Sequence, residues 1–124
     1  MYKRRDKEFV IDMFIAVQNI MEYTEAMDFE KFFKDKKTVD AVLRNIEILG
    51  EAVKNISKEF QMKYPEIEWN AIAKTRDKLI HFYFGKVGKK KFEKNLSQFL
   101  HSLKSFSFKE EPGRGRGIVL SEKR

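Results

Sequence analysis

The chain has 124 residues, 42% of them hydrophobic and 36% charged, which supplies apolar side chain for one packed domain and too little length for two. With no cysteine and two histidines, a disulfide framework, a thiolate metal site, a cysteine nucleophile and a histidine-rich metal centre are all excluded. The net charge of +7 is uneven: residues 1–85 balance 15 Lys/Arg against 15 Asp/Glu, so the excess falls in 86–94 (+4) and 104–124 (+3).

No apolar run approaches the ~20 residues of a membrane span, and no apolar stretch of a signal peptide follows Met1-Tyr2-Lys3-Arg4-Arg5-Asp6. The expectation is a soluble, cytoplasmic protein. Along the chain, Val10, Met13, Phe14, Val17, Ile20 and Met21 repeat at helical spacing and predict an amphipathic helix over about 7–25. Asp28 can cap a short helical turn bearing Phe29, Phe32 and Phe33, which Lys34-Asp35-Lys36-Lys37 ends. Thr38 is then the expected cap of the longest helix, with Val42, Ile46, Leu49, Val53, Ile56 and Phe60 as its stripe and Tyr64-Pro65 as its stop. Gly50 lies inside that helix, where a glycine costs roughly 1 kcal/mol against alanine; the expected reason is the close approach of another helix.

Residues 67–84 predict a further helix with Trp69, Ile72, Leu79, Ile80 and Tyr83 as periodic positions, ended by Gly85 and Gly88. The last helix, about 89–104, carries Phe92, Leu96, Phe99, Leu100 and Leu103 on one face. No segment shows the alternation of a strand bounded by turn signals, so the expected fold class is all-α, a bundle of four main helices plus a short one. The domain spans 1–103, and 104–124, with its Pro112-Gly113-Arg114-Gly115-Arg116-Gly117 run, is expected to be a flexible basic tail.

Chemistry concentrates in Arg76-Asp77-Lys78-Leu79-Ile80-His81-Phe82-Tyr83. Arg76 and Tyr83, seven apart, nearly superimpose on one helical face, and Asp77 and His81, four apart, can share a hydrogen bond that fixes the imidazole. Arg76 and His81 differ by about 140° around the helix and could flank one groove completed by a second subunit. Imidazole is the usual general acid or base, and guanidinium matches a phosphoryl group gaining charge. RNA brings its own nucleophile, the 2′-OH, so one base and one cation suffice without a metal. The same residues also admit a structural reading: Arg76 paired with Glu47 or Glu51, His81 bonded to a backbone carbonyl, Tyr83 packed in the core. Lys86, Lys89, Lys90 and Lys91 follow as a candidate RNA-binding patch or, equally, a solvated helix start.

Three segments in order resemble the HepT-like family of the helical HEPN superfamily: Thr38 to Ala52 (TVDAVLRNIEILGEA), Tyr64 to Trp69 (YPEIEW) and Arg76 to Gly85 (RDKLIHFYFG). The last fits an R-x4-H-x-Y pattern, with Arg76, His81 and Tyr83 in its three places. The resemblance implies a homodimeric, metal-independent ribonuclease, the toxin of a type VII toxin–antitoxin pair, needing no cofactor. It implies Arg76 and His81 as the catalytic pair at the dimer interface, with Asp77 orienting His81. It also implies Tyr83 as the residue to which a minimal nucleotidyltransferase antitoxin adds AMP to silence the nuclease. The alternative from another class is a non-catalytic helical module that binds such a partner and cuts nothing. The sequence departs from the family at Lys86-Val87-Gly88-Lys89-Lys90-Lys91, where an acidic, Trp-containing helix start is usual.

Overall fold

In the computed structural model, which describes residues 5–85, 88–103 and, by backbone alone, 106–110 and 118–122, the first helix runs from Asp6 to Thr24 (α1). Its Val10, Met13, Val17 and Ile20 are buried, as their spacing requires. Asp28 caps α2 (Phe29–Lys34) by accepting from the Lys31 backbone N–H at 2.8 Å, and Phe32 goes into the core.

The long helix α3 (Lys36–Asn55) differs from expectation at both ends. Its cap is Asp35, whose side chain accepts from the Thr38 N–H at 3.2 Å, so the helix starts two residues before Thr38. An aspartate carboxylate suits the positive end of the helix, and Lys36 and Lys37 are tolerated in the first turn. At the other end, Ile56 is extended and Ser57 starts a separate helix, α4 (Lys58–Lys63), by accepting from the Phe60 N–H at 3.1 Å. Gln61 donates to the carbonyls of Val53 and Ile56, at 3.4 and 3.2 Å, which α3 leaves open. Asp6 at the start of α1 takes both the N–H and the hydroxyl of Ser57, at 2.8 and 2.6 Å, and so pins the break. The apolar stripe ran on through Phe60; polar side chains divide the helix beneath it.

Pro65 closes this region, Trp69 Nε1 donates to the Tyr64 carbonyl at 3.1 Å, and α5 runs from Trp69 to Phe84, two residues short of its expected start. The last helix, α6 (Lys89–Leu103), buries Phe92, Leu96, Phe99, Leu100 and Leu103, the five positions expected. Among the described residues there are thus six helices rather than five, in the expected all-α bundle. Helix α3 is its hub, packed against α1, α2 and α5, with α6 on α5.

Past Leu103 the backbone of Phe106–Glu110 (β1) pairs antiparallel with Ile118–Glu122 (β2), Phe106 opposite Glu122 and Glu110 opposite Ile118. No strand was expected in the chain, because the Phe106-Ser107-Phe108 alternation is too short to stand out from its Gly- and Arg-rich surroundings. The rest of the segment expected to be a flexible tail lies outside the described residues, as does Lys86.

One buried polar side chain ties the bundle. Asn45, 7% exposed, accepts from Asn19 Nδ2 of α1 at 3.1 Å and donates to the Ala41 carbonyl at 2.9 Å. Asn45→Ala removes both bonds and strands the Asn19 amide, which should cost about 1–2 kcal/mol. A lower urea midpoint with an unchanged slope would record it.

Candidate active site

The buried residues of α5 fix how its polar residues are displayed. Trp69, Ile72 and Leu79 face the core, Leu79 with no exposed surface at all. Arg76 and Tyr83 lie on the same inward side and are half-buried against α3, whereas Lys74, Asp77, Lys78, His81 and Phe84 are exposed on the outer side. The Arg76 face is therefore covered within a single chain, and Leu79 beside it is core.

Arg76 owes its position to Gly50. A Cβ built on Gly50 would stand 2.6 Å from Arg76 Cγ, 2.8 Å from its Cβ and 3.0 Å from its Cδ, so the arginine stem fills the space a side chain would need. The close approach expected at this glycine is real, but it comes from a side chain rather than a helix backbone. From there Nη1 donates to Asp77 Oδ1 at 2.6 Å, and Lys54 Nζ meets the same carboxylate at 3.1 and 3.4 Å. These two cations, Arg76 first, hold the Asp77 carboxyl below the usual carboxylate range. Arg76 Nε is buried without a hydrogen-bond partner. Glu47 and Glu51, the other partners considered for Arg76, line a cleft of about 250 Å³ beside it together with Asp12 and Arg44. The ion pair that Arg76 makes is with Asp77.

His81 is exposed, and among the described residues its imidazole has no hydrogen-bond partner; its ring centroid lies 6.1 Å from that of Phe82. The bond expected between Asp77 and His81 is not made, because Arg76 and Lys54 occupy the carboxylate. Arg76 and His81 consequently point to different sides of α5, with Asp77 between them around the helix.

Tyr83 packs its ring on Phe92, centroids 5.3 Å apart, and edge-on to Phe84 at 5.0 Å, while its hydroxyl donates to Oδ1 of the exposed Asp40 at 2.6 Å. The ring is structural and the hydroxyl reaches the surface, so the core reading applies to only half of the side chain. The bond to Asp40, reinforced by burial, pushes the phenol above its ordinary range. A cavity of about 410 Å³ opens beside the ring, lined also by Phe33, Lys36 and Lys89.

Asp40 near the start of α3 meets Tyr83 near the end of α5, while Gly50 and Lys54 further along α3 meet Arg76 and Asp77 further back on α5, so the two helices are antiparallel. Arg76 and Tyr83 are two turns apart, about 10 Å along the axis. Lys89, Lys90 and Lys91 are exposed in the first turn of α6, Lys89 facing Glu93 at 3.9 Å. Asp40 had escaped sequence reasoning, since nothing links it to a tyrosine 43 residues away.

The family model for HepT-like ribonucleases matches residues 13–108, from the middle of α1 to β1. The chain belongs to the HepT-like ribonuclease family. A protein of Methanocaldococcus jannaschii named as a candidate RNase is 46% identical over 85 residues, covering 68% of this chain and 70% of its own. The "Probable ribonuclease HepT" of Thermococcus cleftensis is 49% identical over 83 residues, 67% of this chain and 76% of its own. No solved structure gives a significant match. Within the matched range Arg76, His81 and Tyr83 lie on one helix, α5. Among the described residues no three of His, Asp and Glu converge as a metal-binding group, and no helix is long and apolar enough to cross a membrane.

Proposed function

We propose that this chain is an endoribonuclease toxin that works as a homodimer, cutting RNA with Arg76 and His81 and silenced when a minimal nucleotidyltransferase adds AMP to Tyr83. The observation that carries the dimer is that His81 is displayed on the outer side of α5 apart from Arg76, whose guanidinium comes out at the exposed Asp77, so neither group completes a site with the other in one chain. A second copy apposed there supplies the missing half, and Phe84, 77% exposed beside His81, is the apolar surface for it.

In the reaction, His81 takes the proton of the 2′-OH as the oxygen attacks the adjacent phosphorus. Arg76 stabilises the charge that grows on the phosphoryl oxygens. The 5′-oxygen leaves and takes up a proton that the His81 imidazolium gives back, which frees the imidazole again and leaves a 2′,3′-cyclic phosphate and a 5′-OH end. Mixing Arg76→Ala with His81→Ala subunits tests the arrangement. If Arg76 of one subunit works with His81 of the other, each mixed dimer regains one intact site, and activity should return to about a quarter of wild type. A mixture as inactive as either variant means that each site lies within one chain.

RNA is held in this reading by the lysines that open α6. Replacing Lys89, Lys90 and Lys91 with alanine should weaken binding without moving the cleavage site. The slope of log affinity against log salt should flatten by up to about 2, at roughly 0.7 per phosphate contact on a single strand. An unchanged slope returns these lysines to the solvated surface.

A further inference from the structure

The sequence puts Arg76 on the inward side of α5, where an arginine would ordinarily be excluded, and three other residues resolve the conflict. Gly50 removes a side chain where the arginine stem runs, with 2.6 Å from a would-be Cβ to Arg76 Cγ. Asp77, the next residue of α5, stands on the helix between the Arg76 and His81 directions and takes the guanidinium at 2.6 Å. Lys54 of α3 donates to the same Oδ1 at 3.1 Å and to Oδ2 at 3.4 Å, and so ties that carboxylate to α3. Gly50 therefore sets where the stem passes, and the Lys54–Asp77 pair sets where the head emerges.

We infer that Gly50 and Asp77 are positioning residues for Arg76, and that Asp77 carries the guanidinium around α5 toward the face of His81 rather than orienting His81 itself. This inference rests on the reading of Arg76 as the group that stabilises the phosphoryl charge. It differs from a simple surface ion pair in the sign of its effects. Asp77 is an acid beside a site for an anion, so its loss cannot weaken RNA binding through charge. Loss of a positioning residue lowers turnover because a guanidinium misplaced by about 1 Å no longer meets the transition state.

Asp77→Ala in the full chain should lower kcat by about 10–100-fold, with KM for RNA unchanged or reduced. Asp77→Glu, which keeps the carboxylate, should recover part of the loss. Gly50→Ala, favoured by helix propensity, should show the same fall in kcat, and the double variant should fall no further than the weaker single one. In the free wild-type chain the buried Arg76 Nε–H should exchange slowly with solvent, and both single variants should release it. A wild-type kcat in Asp77→Ala, or a higher KM alone, would overturn the inference. If wild-type protein cuts no RNA, the catalytic reading fails first; Nε–H exchange unchanged in both variants would then overturn the positioning role separately.

Discussion

His81→Ala should lower RNA cleavage by at least ~10²-fold, the usual contribution of a positioned acid or base, and leave the fold unchanged. The side chain is exposed and holds no hydrogen bond among the described residues, so its removal should shift stability by less than about 0.5 kcal/mol. Arg76→Ala should cost a similar factor in rate, but its stem fills the space over Gly50, so this variant should also melt earlier. The contrast matters: a rate lost without stability marks chemistry, and a rate lost with it does not by itself. Cleavage should persist in EDTA, and the products should carry cyclic phosphate ends. Full activity in His81→Ala would remove the imidazole from the mechanism; inhibition by the chelator would introduce a metal into it.

Tyr83→Phe should leave the nuclease toxic beside its nucleotidyltransferase, where wild type is silenced. On co-expression, intact mass should show additions of AMP units to wild type and none to the variant. The structure revises how such an addition would act. The hydroxyl is bonded to Asp40, and a phosphodiester placed there is repelled by that carboxylate. The cavity beside the ring, with Lys36 and Lys89 in its lining, is where such a group has room. Silencing by this route would be occupation of the substrate's place, or of the partner subunit's. Should the transferase neutralise Tyr83→Phe without added mass, control is by binding alone. The variant also loses the bond to Asp40. Because folding raises the phenol's proton affinity, that bond stabilises below the unfolded tyrosine pKa near 10 and fades as pH climbs through the higher folded value. Above pH 10 the wild type should therefore lose its stability advantage over Tyr83→Phe.

The bundle was legible because its apolar spacing is regular: Val42, Ile46, Leu49 and Val53 on α3 and all five positions of α6 are buried as read. Helix ends were less so, because they turn on single polar contacts. Nothing in the stripe leading to Phe60 reveals that Asp6, 51 residues upstream, holds Ser57 and breaks the helix. The motif helix shows the same division. Its spacing placed Arg76 and Tyr83 together on one face and His81 apart from them. It could not show that this face is inward, that Asp77 is taken by Arg76 and Lys54, or that Asp40 waits at the tyrosine. Those facts depend on which residues of α3 lie opposite, and pairing between antiparallel helices is written in neither sequence alone.

That pairing has a genetic consequence. Asp40 and Gly50 are ten residues apart on α3, about 15 Å along one stiff rod, and each meets a different member of the motif. On the proposed function, killing and immunity would be addressed from opposite ends of the same helix. A selection for mutants that escape the antitoxin should collect changes near Asp40, and one for mutants that no longer kill should collect them near Gly50 and Lys54. Few single substitutions in between should do both without unfolding the protein, since what lies between is core.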